Sequence, residues 1–390
     1  MASITVVAVA ALASLFMAWT IGAGSSGSTP FAPAVGANAI SVMRAGFVVG
    51  ILGFLGAALQ GASVSEAVGR ELIIGEPLTP VAATTALLIA ATLVAIGVFS
   101  DYPIATSFTV TGAVIGTGVA LGGDPAWAKY TEIGALWVLT PFLGGGIAYG
   151  TARTLRSQEV PERAAIPLLG GVVGAIVGNI EFVFLGDAGE SASIASVAIT
   201  ALGGEAILVR AGVSLAAAAL PALALRWGMT RDAARTQRQF LLVLGGLVAF
   251  SAGGSQVGLA IGPLLPLLDP FDLPLIAVLV GGGVGLLVGS WTGAPRMIKA
   301  IAQDYSSLGP RRSTAALIPS FAIAQIAIFF GIPVSFNEIM VSAVVGSGYA
   351  AGDAGVSSDK IIYTVGAWVG SLFFSGVAGY LVFVGIDTVI

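Results

Sequence analysis

The sequence predicts an all-α polytopic membrane protein built from two inverted repeats with broken or re-entrant helical hairpins. Three observations lead there. Hydrophobic residues make up 56% of the chain and charged residues 9%, whereas soluble domains carry roughly a quarter charged residues, so lipid must serve as the solvent. Apolar segments of helical length recur along all 390 residues, and at about 20 residues per crossing they allow about 10–12 spans with short loops. Gly/Ser/Pro interruptions also fall inside apolar runs at corresponding places in the two halves, the pattern of discontinuous helices that line a midplane site.

In chain order, the apolar run Ile4–Ile21 has no basic segment before it and reads as a retained helix rather than a cleaved signal. It leads into IGAGSSGSTPFAPAVG, Ile21–Gly36, the first interruption. Apolar segments follow at Val42–Leu59, Ala82–Phe99, Ile104–Leu121, Ile133–Thr151 and Ala165–Leu185, and a second series runs from Ser193 to Ile390. Within it, VAFSAGGSQVGLAIGPLLP, Val248–Pro266, reads as a helix broken at Gly253-Gly254 and interrupted again at Pro263 and Pro266. The expected division is a first repeat over 1–152, connecting helices with basic cytoplasmic loops over 153–239, and a second repeat over 240–390. The positive-inside rule places Arg153–Arg163, Arg226–Arg238 and Arg296–Arg312 at the cytoplasm and the acidic loops Asp187–Glu190, Asp269–Asp272 and Asp353–Asp359 outside.

A constant offset supports the repeat. Trp137 and Trp368 lie in similar contexts, 368 − 137 = 231 positions apart, and Tyr149 and Tyr380 give the same 231. Pro103 to Pro333 and Gly116 to Gly346 each give 230, and Gly22 to Gly253 gives 231. One register holding across most of each half points to duplication, and the inverted relation expected of it requires an odd number of crossings between the halves, which hydropathy alone does not settle.

Composition removes several kinds of chemistry. The chain has no cysteine and no histidine, which excludes disulfides, thiolate or imidazole metal sites and the usual nucleophile–base pairs. A net charge of −4 argues against a nucleic-acid partner. The glycine runs are neither preceded by a strand nor followed by Gly-Lys-Ser/Thr, which disfavours an ATP-driven pump. An enzyme is not expected.

Four elements combine interruption with polarity: Gly22–Pro33, Asp101–Thr111, Gly253–Gly262 and Gly331–Ser342. Their side chains are hydroxyls and amides, and the expected substrate-binding set is Ser25, Ser26, Ser28, Thr29, Thr106, Ser107, Ser255, Gln256, Ser335 and Asn337. Half-helix N-termini add free N–H groups and partial positive charge, so these elements could hold a small oxyanion without lysine or arginine. Glu338 is the expected coupling or gating group, since an intramembrane acid reads as a proton relay or cation ligand. Glu181 and Glu205 fall near helix ends and read as interfacial. Arg44, Arg70, Arg210 and Lys299 either draw anions to a vestibule or snorkel to the interface.

These motifs resemble the inorganic phosphate transporter (PiT) family, which also includes sulfate permeases. FSAGGSQVGLAIGPL, Phe250–Leu264, aligns with the family pattern FAHGANDVANAIGPL, and GIPVSFNEIMVSAVVGSG with GLPVSTTHVLVGAIIGVG. YPIATSFTVTGAVIG takes the second of these places in the first half, and GAGSSGSTPFAPAVG takes the first with one inserted residue. Gly24-Ser25 and Ser255-Gln256 stand where the family has Asn-Asp, and Phe108 and Glu338 where it has histidine. The resemblance implies a secondary active transporter of phosphate working by alternating access in a prokaryotic plasma membrane, with sodium or a proton as coupling ion. The partners it implies are the inorganic anion and the lipid bilayer, and the glycine-rich faces would accommodate a homodimer. A sulfate or other tetrahedral-anion permease and a passive anion channel on the same scaffold are the alternatives.

Overall fold

The computed structural model describes residues 4–75, 77–157, 159–186, 191–203, 205–350 and 356–388. The first half contains α1 (Ile4–Gly24), α2 (Ala32–Gly36), α3 (Val42–Gln60), α4 (Ala62–Arg70), α5 (Pro80–Phe99), α6 (Thr106–Ala120) and α7 (Trp127–Arg156). Three connecting helices follow, α8 (Glu162–Asn179), α9 (Ile194–Leu202) and α10 (Ala206–Arg231). The second half contains α11 (Ala233–Ile261), α12 (Leu265–Leu268), α13 (Leu275–Thr292), α14 (Ala294–Asp304), α15 (Pro310–Phe329), α16 (Phe336–Tyr349) and α17 (Ser358–Asp387). Among the described residues nine helices are long and apolar enough to cross a membrane. The 18-residue α8 and the half-length α6 and α16 lie beside them. The only sheet structure among the described residues is two two-residue antiparallel pairs in loops, Ile73–Ile74 with Asp124–Pro125 and Glu181–Phe182 with Ala192–Ser193.

Local chemistry fixes several helix starts. Pro80 opens α5 behind Thr79, whose hydroxyl accepts from the Ala82 N–H at 3.2 Å, and Asp232 caps α11 by accepting from the Arg235 N–H at 3.0 Å. Both caps satisfy donors that a helix leaves open in its first turn.

The helix order repeats with nearly one offset: α3 and α13 start 275 − 42 = 233 apart, α5 and α15 310 − 80 = 230, α6 and α16 336 − 106 = 230, and α7 and α17 358 − 127 = 231. The equivalent helices α3 and α13 run antiparallel. Gly50 of α3 faces Trp291 at the end of α13, while Gly61, past the end of α3, faces Leu279 near its start. Two equivalent helices pointing in opposite directions make the halves inverted with respect to each other. The halves also interlace: α1 packs on α13 and α11 on α3, while α6 packs on α17 and α16 on α7. Small residues allow this approach. Gly116 lies against the backbone of Gly376, and in the equivalent crossing Gly346 lies against that of Gly145.

Polar contacts define the two faces. On one, Arg296 pairs with Asp101 at 2.6 Å, Arg238 donates to the Ala39 carbonyl at 3.0 Å, Arg156 donates to the Ala350 carbonyl at 2.6 Å, and Arg311 pairs with Glu162. On the other, Arg70 pairs with Asp269 at 2.6 Å and Lys129 with Glu71 at 2.8 Å. The three basic stretches therefore share one face and the loop at Asp269–Asp272 lies on the opposite one. Asp359, in the first turn of α17, departs from expectation. Lys360, at the start of α17, pairs with Asp304 at 3.2 Å on the arginine-rich side, because α17 must begin where α16 ends. Asp187–Glu190 and Asp353 lie outside the described residues.

A second correction concerns Gly253-Gly254. The α-helix runs through both and through Ser255 and Gln256 to Ile261, and gives way only at a 3₁₀ turn over Gly262–Leu264. Gly253 lies against the backbone of Gly53 and Gly254 beside Gln60. These glycines are notches that admit α3, so no helical hydrogen bond needs to be given up there. The first half does break as expected, with α1 ending at Gly24 and a run of turns leading into α2.

The glycine crossings yield a stability test. Gly116→Val is expected to destabilise the detergent-solubilised protein by about 1–3 kcal/mol through overpacking, seen as a drop of several degrees in its thermal unfolding midpoint. Gly146→Ala, where nothing approaches within 4 Å, is expected to leave the midpoint unchanged.

Candidate anion-binding site

Each half carries an extended segment running inward from a loop to a half-length helix, Pro103–Ala105 before α6 and Pro333–Ser335 before α16. Extended backbone leaves its carbonyls without ladder partners, which is costly away from water. Two tryptophans meet that need reciprocally. The Trp137 indole N–H donates to the Pro333 carbonyl at 2.8 Å, and the Trp368 indole N–H donates to the Pro103 carbonyl at 2.7 Å. Tryptophan and acceptor are related by the same repeat offset and come from opposite halves. Both indoles are buried.

The next carbonyls in the two segments are also equivalent. Gln256 Nε2 donates to the Val334 carbonyl at 2.6 Å, and Asn337 Nδ2 donates to the Ile104 carbonyl at 2.7 Å and to the Gly24 carbonyl at 3.0 Å. One amide thus ties α11 to the approach to α16, and the other ties α16 to the end of α1 and the approach to α6. Gln256 Oε1 accepts from Thr106 Oγ1 at 2.8 Å and from Ser25 Oγ at 3.2 Å. Ser255 Oγ lies 3.4 Å from Gln256 Nε2. The four elements singled out in the sequence therefore converge, and every one of the expected binding residues is buried.

Their roles differ. Ser25, Thr106, Ser255, Gln256 and Asn337 form the connected centre. Ser28 and Thr29 turn back to the Ser25 carbonyl, each at 3.1 Å, and stabilise the turn after α1. Ser26 is buried in that turn. Ser335 caps α16 by accepting from the Glu338 N–H at 3.4 Å. Four buried atoms in the first two turns of α6 and the first turn of α16 have no hydrogen-bond partner: Ser107 Oγ, Thr111 Oγ1, Asn337 Oδ1 and Glu338 Oε2. An unsatisfied buried polar group costs on the order of 1–3 kcal/mol, so such a cluster marks a place where a ligand or water completes the bonding.

The charge arrangement is simple. Glu338 is the only buried acid among the described residues, and no lysine or arginine among them is buried. Positive potential at the centre comes from the N-termini of α6 and α16, each worth roughly half an elementary charge, brought together by the Asn337–Ile104 contact. Phe108, the equivalent of Glu338, is committed to packing, its ring stacked on Trp137 at 3.9 Å between centroids. The sequence had flagged Trp137 and Trp368 as repeat landmarks without assigning them to the site, although their shared offset with Pro103 and Pro333 was the available signal.

Residues 21–379 match the phosphate transporter family. The chain belongs to this family. Among its relatives is a Pyrococcus furiosus protein provisionally named as a phosphate permease, 24% identical over 94% of this chain and 93% of its own length. Another is the chloroplastic inorganic phosphate transporter 2-1 of Arabidopsis thaliana, 24% identical over 91% of this chain and 68% of the relative. The fold matches that of a solved sodium-dependent phosphate transporter with a TM-score of 0.82, at 22% identity and covering 99% of this chain and all of the other. Membership in a phosphate transporter family and the all-helical polytopic fold agree with the architecture read from the sequence.

If the neutral centre holds the substrate, Thr106→Val removes one donor while preserving shape. It is expected to weaken substrate half-saturation roughly five- to tenfold, the equivalent of about 1–1.5 kcal/mol for one hydrogen bond, with little change in maximal rate, as measured by concentration-dependent uptake into proteoliposomes.

Proposed function

We propose that this protein carries inorganic phosphate across a prokaryotic plasma membrane by alternating access, with a proton on Glu338 rather than sodium as the accompanying ion. Sulfate, a tetrahedral oxyanion of similar size, is the next substrate in this reading. The two inverted repeats, 1–152 and 240–390, would exchange roles between the outward- and inward-open states around the shared centre, with 153–239 connecting them. The arginine-rich face is cytoplasmic by the positive-inside rule.

The observation that carries this reading is the Ser25–Gln256 hydrogen bond at 3.2 Å. These are the two positions where the family resemblance places aspartates, and they touch. Two carboxylates at about 4 Å would repel by roughly 4 kcal/mol at an effective dielectric of 20, so a pair of acids there calls for a cation between them. A hydroxyl and an amide do not. The Gln256 donor is committed to the Val334 carbonyl, so the hydroxyls of Ser25 and Thr106 are the donors that would turn from the Gln256 oxygen to a phosphate oxygen, with water left to satisfy Gln256 Oε1. Glu338, buried on the first turn of α16 beside Asn337 in sequence with Oε2 unpartnered, is the group we assign to take up and release a proton as the site opens to either side.

Uptake of radiolabelled phosphate into proteoliposomes of the purified protein tests this. An inward proton gradient is expected to drive accumulation, and a sodium gradient at constant pH is not. Absence of phosphate accumulation and of competition by phosphate would overturn the substrate, and equal drive by sodium would overturn the coupling.

Two variants sharpen the assignment. Glu338→Gln is expected to abolish accumulation under a proton gradient while leaving phosphate/phosphate exchange within about threefold, since it removes a titrating group and little volume. Gln256→Asp is expected to depress uptake in sodium-free medium and to make it respond to added sodium, measured as initial rate against sodium concentration.

A further inference from the structure

A cavity of about 530 Å³ opens on the face opposite the arginine-rich one, between α3, α4, α8, α10 and α15. Its walls are largely apolar, and its polar lining includes Ser63, Asn179, Glu181, Arg210, Gln60 and Gln325, one acid and one base among them. Gln60 and Gln325 are buried at its inner end and exchange amide hydrogen bonds, Gln60 Nε2 to Gln325 Oε1 at 3.5 Å and Gln325 Nε2 to Gln60 Oε1 at 3.3 Å. Each has a second, shorter bond elsewhere. Gln60 donates to the Glu181 carbonyl at 2.9 Å, and Gln325 donates to Ser251 Oγ at 2.6 Å. Ser251 lies on α11 one turn before Ser255, on the same helical face, and Ser255 is followed by Gln256 at the centre of the site.

Arg210, the Gln60–Gln325 pair and Ser251 form a polar lining that leads from the cavity to α11, which it reaches one turn from Ser255. We infer that this cavity is the external mouth of the transport pathway and that the Gln60–Gln325 pair is its gate, with Arg210 drawing anions in. The inference deepens the transport reading above and rests on it for the identity of the solute. The geometry suits a latch. The bonds across the pair are near the long limit for hydrogen bonds, and the stronger bonds hold each amide to its own side, so parting the pair leaves both side chains with partners. Two amides in an apolar interior would otherwise be a poor use of buried polarity. An arginine at the rim raises the local concentration of an anion without holding it at the centre.

The chain has no cysteine, so single-cysteine variants report without background. Vesicles in which the face opposite the arginine-rich one is outward are treated with a membrane-impermeant anionic methanethiosulfonate. The expected results are that Ala322→Cys, on the cavity wall, is modified from outside, and that adding Arg210→Gln slows its modification at least threefold relative to a cationic reagent of similar size. Ser255→Cys is expected to react slowly with the gate intact and at least tenfold faster when Gln325→Ala is added. Gln325→Met, which keeps the volume and removes the bonds, is expected to give the same acceleration if the alanine variant does not fold. Failure of Ala322→Cys to react from outside, as for a lipid-filled pocket, overturns the mouth. A Ser255→Cys rate indifferent to both Gln325 variants overturns the gate. Labelling needs no transported solute, so an intact labelling pattern in protein that moves no phosphate would remove the phosphate reading alone.

Discussion

The structure depends on how two short stretches of extended backbone are satisfied away from water. Pro103 cannot donate, its carbonyl has no helical partner, and the same holds for Pro333 in the other half. An unpaired carbonyl in such surroundings would cost enough to close the break into regular helix or expel it to the surface. The indoles of Trp137 and Trp368 prevent both outcomes, each reaching from the long helix of one half to the break of the other at under 3 Å. Once those bonds are in place, α6 and α16 must begin in the interior, and their N-termini and the carbonyls of Ile104 and Val334 have nowhere to point but toward each other.

Electrostatics at the centre follow from this scaffold. The helix N-termini supply diffuse positive potential without a buried full charge, whereas a lysine or arginine there would carry a large desolvation penalty. A site made from amides, hydroxyls and helix ends can recognise an oxyanion by directed hydrogen bonds and still release it. Neutral side chains at Ser25 and Gln256 leave Glu338, on one half only, as the one buried acid among the described residues. The pseudo-symmetry of the backbone is broken chemically at several equivalent pairs, Ser25 and Gln256, Ser107 and Asn337, and Phe108 packed on an indole against Glu338 with a free oxygen.

Much of this was legible in the sequence, because membrane burial, helical length and the 231-residue register are each carried by many residues. The four converging elements were readable for the same reason: proline, glycine and hydroxyls inside apolar runs have few other uses. Three things were not. Gly253-Gly254 looks like a break and is a packing notch, because glycine serves close approach and interruption equally, and only the neighbouring α3 decides between them. The face of the loop before α17 depends on how many crossings precede it, which short half-helices obscure. Gln60 and Gln325 are single amides in apolar helices, 265 positions apart and off the repeat register, so no local pattern joins them.

The interlacing of the halves bears on how the molecule is made. The surface of α6 that seats α17, and the surface of α7 that seats α16, are synthesised long before their partners leave the ribosome. Through most of translation the first half sits in the bilayer with its small-residue grooves open, Gly112 and Gly116 awaiting Leu372 and Gly376. Neither half closes on itself, so α16 and α17, made after the whole of the first half, are the helices that lock it, and assembly does not proceed repeat by repeat.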